Sequence, residues 1–235
     1  MEKRKKVIYI ADSLALPREN VLYEDTAISL LKHRFRNLDF ITVFKRSITT
    51  NVLVEWGGNN YGQINNFPMG SDCLEFYNPK IIILQLGIVD CAPRLLTRLD
   101  KLFIRRLSKS LADNYIKIAK RYRKRKTSNT FVSPRKFENN LLDYFDRCKR
   151  NNIEKVLIIK IPIPTKEMID LNPLILENVT LYNRIYDSLA KKYSFIKCLN
   201  PLSPSKYDIN IYVDGYHPNK KGNFFVFKAL EPELL

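Results

Sequence analysis

Four short runs constrain this chain more than anything else in it: Lys6–Ala11, Asp39–Phe44, Lys80–Leu86 and Glu154–Ile161. Each is rich in Ile and Val and apolar at successive positions, so a strand formed there needs cover on both faces. Half-exposed antiparallel strands alternate apolar and polar residues. Strands buried on both sides do not, and they belong to parallel sheets sandwiched between helices. A weaker fifth run, Phe195–Leu199, extends the series.

Helical patterns separate these runs. Ala27, Leu30, Leu31 and Arg34 share a face after Asp25. Ser133-Pro134 pairs a favoured N-cap with a proline suited to the first helical position, and Phe137, Leu141, Tyr144 and Cys148 follow at helical spacing. Leu181, Ile185, Leu189 and Ala190 mark a further helix. The alternation predicts an α/β fold with a doubly wound parallel sheet of about five strands, whose ligands bind beyond the carboxyl ends of those strands. The 235 residues suffice for one domain with a sizeable core. A single domain over residues 1–235 is expected, with a basic helical insertion at about 100–130.

In that insertion, the spacing predicts a helix from about Asp100 to Lys126. Ile104, Leu107, Leu111, Tyr115, Ile118 and Tyr122 form one apolar stripe. Arg105, Arg106, Lys109, Lys117, Lys120, Arg121 and Arg123 crowd the other face. It reads either as a solvated helix docked by its stripe or as a contact surface for an anionic membrane or glycan. The whole chain carries a formal net charge of +16, which attracts polyanions without choosing among them. Aromatic residues interleave with the basic ones, yet no stacking platform or recognition motif for nucleic acid is evident, so that partner is not expected.

Other classes are disfavoured. Cys73, Cys91, Cys148 and Cys198 lie far apart without a CxxC pair, so neither a disulfide framework nor a zinc site is expected, and they read as small buried thiols. The apolar run near the N-terminus stops at Asp12, short of a signal peptide's core, and no stretch approaches the ~20 apolar residues of a membrane span. A cytoplasmic location is the expectation. The stretch Trp56-Gly57-Gly58-Asn59-Asn60-Tyr61-Gly62 lacks a phosphate-cradling pattern and reads as a loop bordering the site.

Chemistry concentrates at the two ends of the chain. Ser13 follows the first strand in Ala11-Asp12-Ser13-Leu14, where it is either a nucleophile at the mouth of the sheet or a turn residue. The chain has two histidines; His33 falls off its helix's apolar face, while His217 sits in Asp214-Gly215-Tyr216-His217-Pro218. Aspartate and histidine three residues apart can meet in a tight turn, the carboxylate holding Nδ1–H and leaving Nε2 to accept a hydroxyl proton. A loop with both residues solvated would read the same. Two Pro-Arg steps, Pro17-Arg18 and Pro93-Arg94, leave the expected site loops from stiffened positions. Two guanidinium groups at one mouth suit bidentate binding of a carboxylate or phosphate. Pairing with the local acids Glu19 or Asp100 reads equally well.

Taken together, Asp12-Ser13-Leu14 after the first strand, Gly87-Ile88-Val89-Asp90 after the third, and Asp214-x-x-His217-Pro218 resemble blocks I, III and V of the SGNH (GDSL-type) hydrolases. The resemblance implies a flavodoxin-like three-layer α/β/α fold and ester hydrolysis, often of acetyl groups on carbohydrates, with neither metal nor cofactor. By it, Ser13 is the nucleophile and one oxyanion donor, Asp214 the orienting acid and His217 the base, with Gly87 and Asp90 framing the third block. Two positions depart from the pattern. Val89 replaces an asparagine side-chain donor, and the second block's glycine has no clear counterpart, Ser47 in Arg46-Ser47-Ile48-Thr49-Thr50 being the best local match. Losing one oxyanion donor costs ~2.7–4 kcal/mol in the transition state, so low activity is expected, with Arg18 and Arg94 as candidate replacements. The leading expectation is a serine esterase that removes or transfers an acyl group on a carbohydrate, its substrate anionic. The alternative is a catalytically weakened module of the same fold that binds an acidic glycan or another polyanion.

Overall fold

A computed structural model of the chain describes residues 4–18, 20–54, 72–94, 102–122, 130–203 and 210–235. The expected Trp56–Gly62 loop, Glu19, Asp100 and the Lys124–Lys126 end of the basic helix lie outside these residues. Five parallel strands, β1 (Lys5–Ala11), β2 (Leu38–Phe44), β3 (Ile81–Gln85), β4 (Lys155–Ile159) and β5 (Ile196–Leu199), form one sheet in the order β2-β1-β3-β4-β5. Every pairing is parallel, with Val7 opposite both Phe40 and Ile81, and Ile82 opposite Val156. The sheet is therefore flavodoxin-like, and the order reverses at β1 and β3.

Strand residues split by the period of two into two cores. Ile8, Ile10, Ile82, Leu84, Val156 and Ile158 face one layer, while Val7, Tyr9, Ala11, Ile83 and Leu157 face the other. The first layer holds the helices α5 (Pro134–Arg150) and α7 (Leu174–Lys192); the second holds α1 (Ala27–Arg34) and α8 (Lys220–Leu230). The remaining helices are α2 (Asp72–Tyr77), α3 (Ile88–Cys91), α4 (Lys109–Tyr122) and α6 (Lys166–Leu171).

Helix α5 starts as its sequence predicts: Ser133 accepts from the Lys136 N–H, Pro134 takes the first position, and Phe137, Leu141, Tyr144 and Cys148 are fully buried. The Phe137 ring packs against Tyr182 and Tyr186 of α7, with centroids 4.8 and 5.1 Å apart. Burying one such ring contributes roughly 2–3 kcal/mol. The inward face of α7 is consequently Ile175, Val179, Tyr182, Tyr186 and Leu189, and the expected core position Leu181 faces solvent instead. Aromatic residues, whose hydroxyls reach Val132 and Leu86 carbonyls, claim the face that an aliphatic count assigns elsewhere.

The basic segment also departs from expectation. A turn at 105–107 interrupts the stripe, with N–H groups of Arg106 and Leu107 donating three residues back to Phe103 and Ile104. Helix α4 begins only after Ser108, whose carbonyl accepts the Ala112 N–H, in keeping with the capping preference of serine. Leu111 and Ile118 of the stripe are exposed. His33 is exposed, Cys73, Cys91 and Cys148 are buried free thiols, and Cys198 is half-buried. Among the described residues no helix is long and apolar enough to cross a membrane.

Candidate active site

Three loops leave the carboxyl ends of β1, β2 and β3 and meet a fourth from the C-terminal region. After β1, Asp12 is an N-cap: its Oδ1 accepts the Leu14 N–H at 2.9 Å and turns the chain into a 3-10 segment that begins with Ser13. Ser13 is thus both a turn residue and the side chain presented at the rim. Its Oγ lies 3.0 Å from His217 Nε2, across 204 residues of sequence.

His217 is held from behind. Asp214 folds back on its own loop, its Oδ1 accepting the backbone N–H groups of Tyr216 at 3.1 Å and His217 at 2.9 Å. The imidazole Nδ1–H points at the same carboxylate, 2.8 Å from Oδ2. That bond fixes the tautomer and leaves a lone pair on Nε2. Burial lowers the His217 pKa below its ordinary 6.5; Asp214 opposes this, while the cations Arg18 and Arg46 add to it. Burial would raise Asp214, but the two N–H donors and the imidazole outweigh it and hold the carboxyl below its usual range. His217 is therefore neutral and Asp214 ionised near pH 7.

The third-strand loop turns at Gly87. Gly87 has φ +115°, and a Cβ there would sit 2.6 Å from Ile161 Cδ1, so the position needs glycine. Asp90 is completely buried and does not face the pocket. Its Oδ1 accepts from the Thr50 N–H at 2.9 Å and the Thr50 hydroxyl at 2.6 Å, while Asn140 Nδ2 donates to Thr50 Oγ1 at 3.2 Å. This network clamps the loop after β2 against the loop after β3. Burial pushes Asp90 up to about 6 and Asp12 up to about 8.

Ser47 sits at the pocket edge with φ +62°, a left-handed conformation that glycine adopts without penalty and that costs other residues roughly 1–2 kcal/mol. Among the described residues, neither the Ser13 nor the Ser47 backbone N–H has an acceptor. Val89 lines the same pocket with an apolar side chain.

The pocket has a volume of about 200 Å³ and brings Ser13, His217, Ser47, Val89, Arg18 and Arg94 together. The two arginines behave differently. Arg94 Nη2 donates to the Val89 carbonyl at 3.2 Å, and the guanidinium stacks on Phe131 at 4.0 Å from the ring centroid. Arg18 instead reaches His217, its Nη2 donating to the same Nε2 that Ser13 approaches. Two lining residues were missed by sequence reasoning. Tyr216 lays its ring beside the imidazole, centroids 4.4 Å apart, and Arg46 adds a third cation. Their adjacency to His217 and Ser47 was the available signal. Among the described residues no group of three or more His, Cys, Asp or Glu side chains could hold a metal ion.

No family model and no curated protein matches the chain by sequence. Solved structures match it in fold. A lipase/acylhydrolase from Enterococcus faecalis aligns at a TM-score of 0.62 with 12% identity, over 99% of this chain and 95% of its own. A carbohydrate acetylesterase from Sinorhizobium meliloti aligns at 0.57 with 14% identity, covering 98% of each chain. A putative lipolytic protein of the G-D-S-L family from Desulfitobacterium hafniense aligns at 0.57 with 13% identity, over 97% of this chain and 99% of its own. The chain has the three-layer α/β/α fold of these SGNH/GDSL-type hydrolases.

Proposed function

We propose that the protein is a serine esterase whose nucleophile is Ser13. One observation carries this reading: Ser13 Oγ, His217 Nε2 and Asp214 form a continuous chain of contacts of 3.0 and 2.8 Å at the carboxyl rim of the sheet. His217 takes the Ser13 proton as Oγ attacks the ester carbonyl, and the imidazolium is stabilised by Asp214. The tetrahedral intermediate collapses, His217 returns the proton to the leaving alcohol, and an acyl-enzyme remains. His217 then deprotonates water, which attacks the acyl carbon and releases the acid with Ser13 restored.

The oxyanion is held by the N–H groups of Ser13 and Ser47, both available at the pocket. Val89 offers no third donor, and a loss of that kind slows turnover ~100- to 1,000-fold. The acyl group is a short one, such as acetyl, and the alcohol is a carbohydrate. The small pocket supports the first assignment, and the likeness to a carbohydrate acetylesterase supports the second. A sugar hydroxyl replacing water would make the same steps an acyl transfer. The test is release of p-nitrophenolate from p-nitrophenyl acetate, and of acetate from an acetylated oligosaccharide, by wild type and Ser13→Ala. Turnover that survives the substitution rejects the reading.

A further inference from the structure

The catalytic base has two suitors. Nε2 of a Nδ1-protonated imidazole offers one in-plane lone pair, yet both the Ser13 hydroxyl and the Arg18 guanidinium are placed on it. A guanidinium is a permanent cation and a neutral imidazole is a modest acceptor for it. Arg18 has no carboxylate partner among the described residues, and its Nε is buried without a hydrogen-bond partner. Arg46, another of the three cations at this mouth, likewise has no carboxylate partner among them. Of the acids nearest the site, Asp214 is engaged by His217, Asp90 by Thr50 and Asp12 by the Leu14 N–H; Oδ2 of Asp12 and of Asp90 is buried without a hydrogen-bond partner, and none of the three forms an ion pair with Arg18 among the described residues. Pro17 and a bridge between Arg18 and Val21, with the Val21 N–H on the Arg18 carbonyl at 2.8 Å, anchor the backbone from which the Arg18 side chain reaches the pocket.

We infer that Arg18 is a specificity-determining residue that selects esters carrying a carboxylate or phosphate group, leaving His217 for that anion when substrate binds. An oxyanion takes two guanidinium N–H groups at once and brings a full opposite charge, where the imidazole offers a single neutral acceptor. Ser13 is then the sole donor to Nε2, and proton transfer from the nucleophile is unopposed. An anionic substrate therefore gains in kcat as well as in KM, because its binding energy also frees the base. This inference rests on the esterase reading for its kinetic consequence, and on the pocket's charge alone for binding.

Matched esters test it. Phenyl acetate, para-acetoxybenzoate and para-acetoxyphenyl phosphate share one ester and differ only in the charged group, so the last two separate carboxylate from phosphate. Wild type should prefer at least one anionic ester by about tenfold or more in kcat/KM, part of it in kcat. Arg18→Met should abolish that preference while raising phenyl acetate turnover about twofold or more, since the freed imidazole is a better base. Arg18→Lys, which keeps the charge but not the fork, should restore the preference only in part. Equal losses on all three esters in a folded Arg18→Met protein, or an unchanged preference, would overturn the proposal. Calorimetric binding of para-acetamidobenzoate against acetanilide needs no turnover and keeps the two readings apart. An Arg18-dependent preference in a protein that hydrolyses nothing sinks the esterase reading alone; hydrolysis with no such preference sinks the anion site alone.

Discussion

Two clefts open at opposite ends of the same sheet, and the larger has none of the chemistry. At the amino ends of the strands, a cleft of about 730 Å³ is lined by Arg4, Lys5, Arg36, Glu154, Lys155 and Glu233. Most of its charges are paired: Lys5 with Glu154 at 2.5 Å, and Glu233 with Lys155 at 3.6 Å and with Lys197 at 2.6 Å. The carboxyl-end pocket is less than a third of that size, yet it holds Ser13 against His217, a left-handed serine and an arginine turned toward that imidazole. Volume does not locate function here. Unfinished chemistry does, and it gathers where parallel strands end and their loops diverge.

The sharpest way to separate the two ends is to remove the hydroxyl. Ser13→Ala should lower kcat on p-nitrophenyl acetate roughly a thousandfold or more while leaving the melting temperature near that of wild type. Next comes strain at the rim. Gly87→Ala forces a Cβ against Ile161 at φ +115°, and urea denaturation should report a loss of roughly 2–4 kcal/mol.

Burial beneath the rim gives a pH signature of its own. Asp12 has a folded pKa of about 8 against an ordinary 3.8, so between those values the folded state keeps a proton that the unfolded state has released. Stability must fall as pH rises through that window, with Asp90 adding to the fall as pH approaches 6. Thermal melts should show Asp12→Asn flattening the decline by several degrees at pH 8, since the amide keeps the acceptor for Leu14 and never ionises. A smaller effect concerns the base. The acid limb of kcat/KM should lie below pH 6.5, because activity needs neutral His217 and its pKa is depressed. Arg46→Ala should move that limb to higher pH. At the far cleft, Lys5→Ala breaks a half-exposed ion pair of a kind that contributes ~0.2–1 kcal/mol, and turnover should stay within twofold.

The parts legible in the sequence are those with short-range causes. Unbroken Ile and Val runs announced β1, β3 and β4 as strands buried on both faces, while β2, at the edge of the sheet, is half-exposed against that expectation; Ser133-Pro134 announced the start of α5, because a cap depends on neighbours within a turn. The pairing of Ser13 with Asp214 and His217 was readable only through a motif, since 204 residues separate the serine from the histidine. The seat of Arg18 on His217 was not readable, because a guanidinium at the end of a long side chain finds its partner in three dimensions. The same holds for the backbone of Ser47: a serine does not declare a left-handed φ. The inward face of α7 was misread because tyrosines there bury both ring and hydroxyl.

The central claim is that Ser13 is a nucleophile activated by His217, and covalent trapping tests it most directly. Wild-type protein treated with a fluorophosphonate should gain the mass of one adduct, mapped by peptide sequencing to Ser13, and His217→Ala should lose the labelling. A folded wild-type protein that gains no adduct, or gains it at another residue with Ser13 unmodified, contradicts the account.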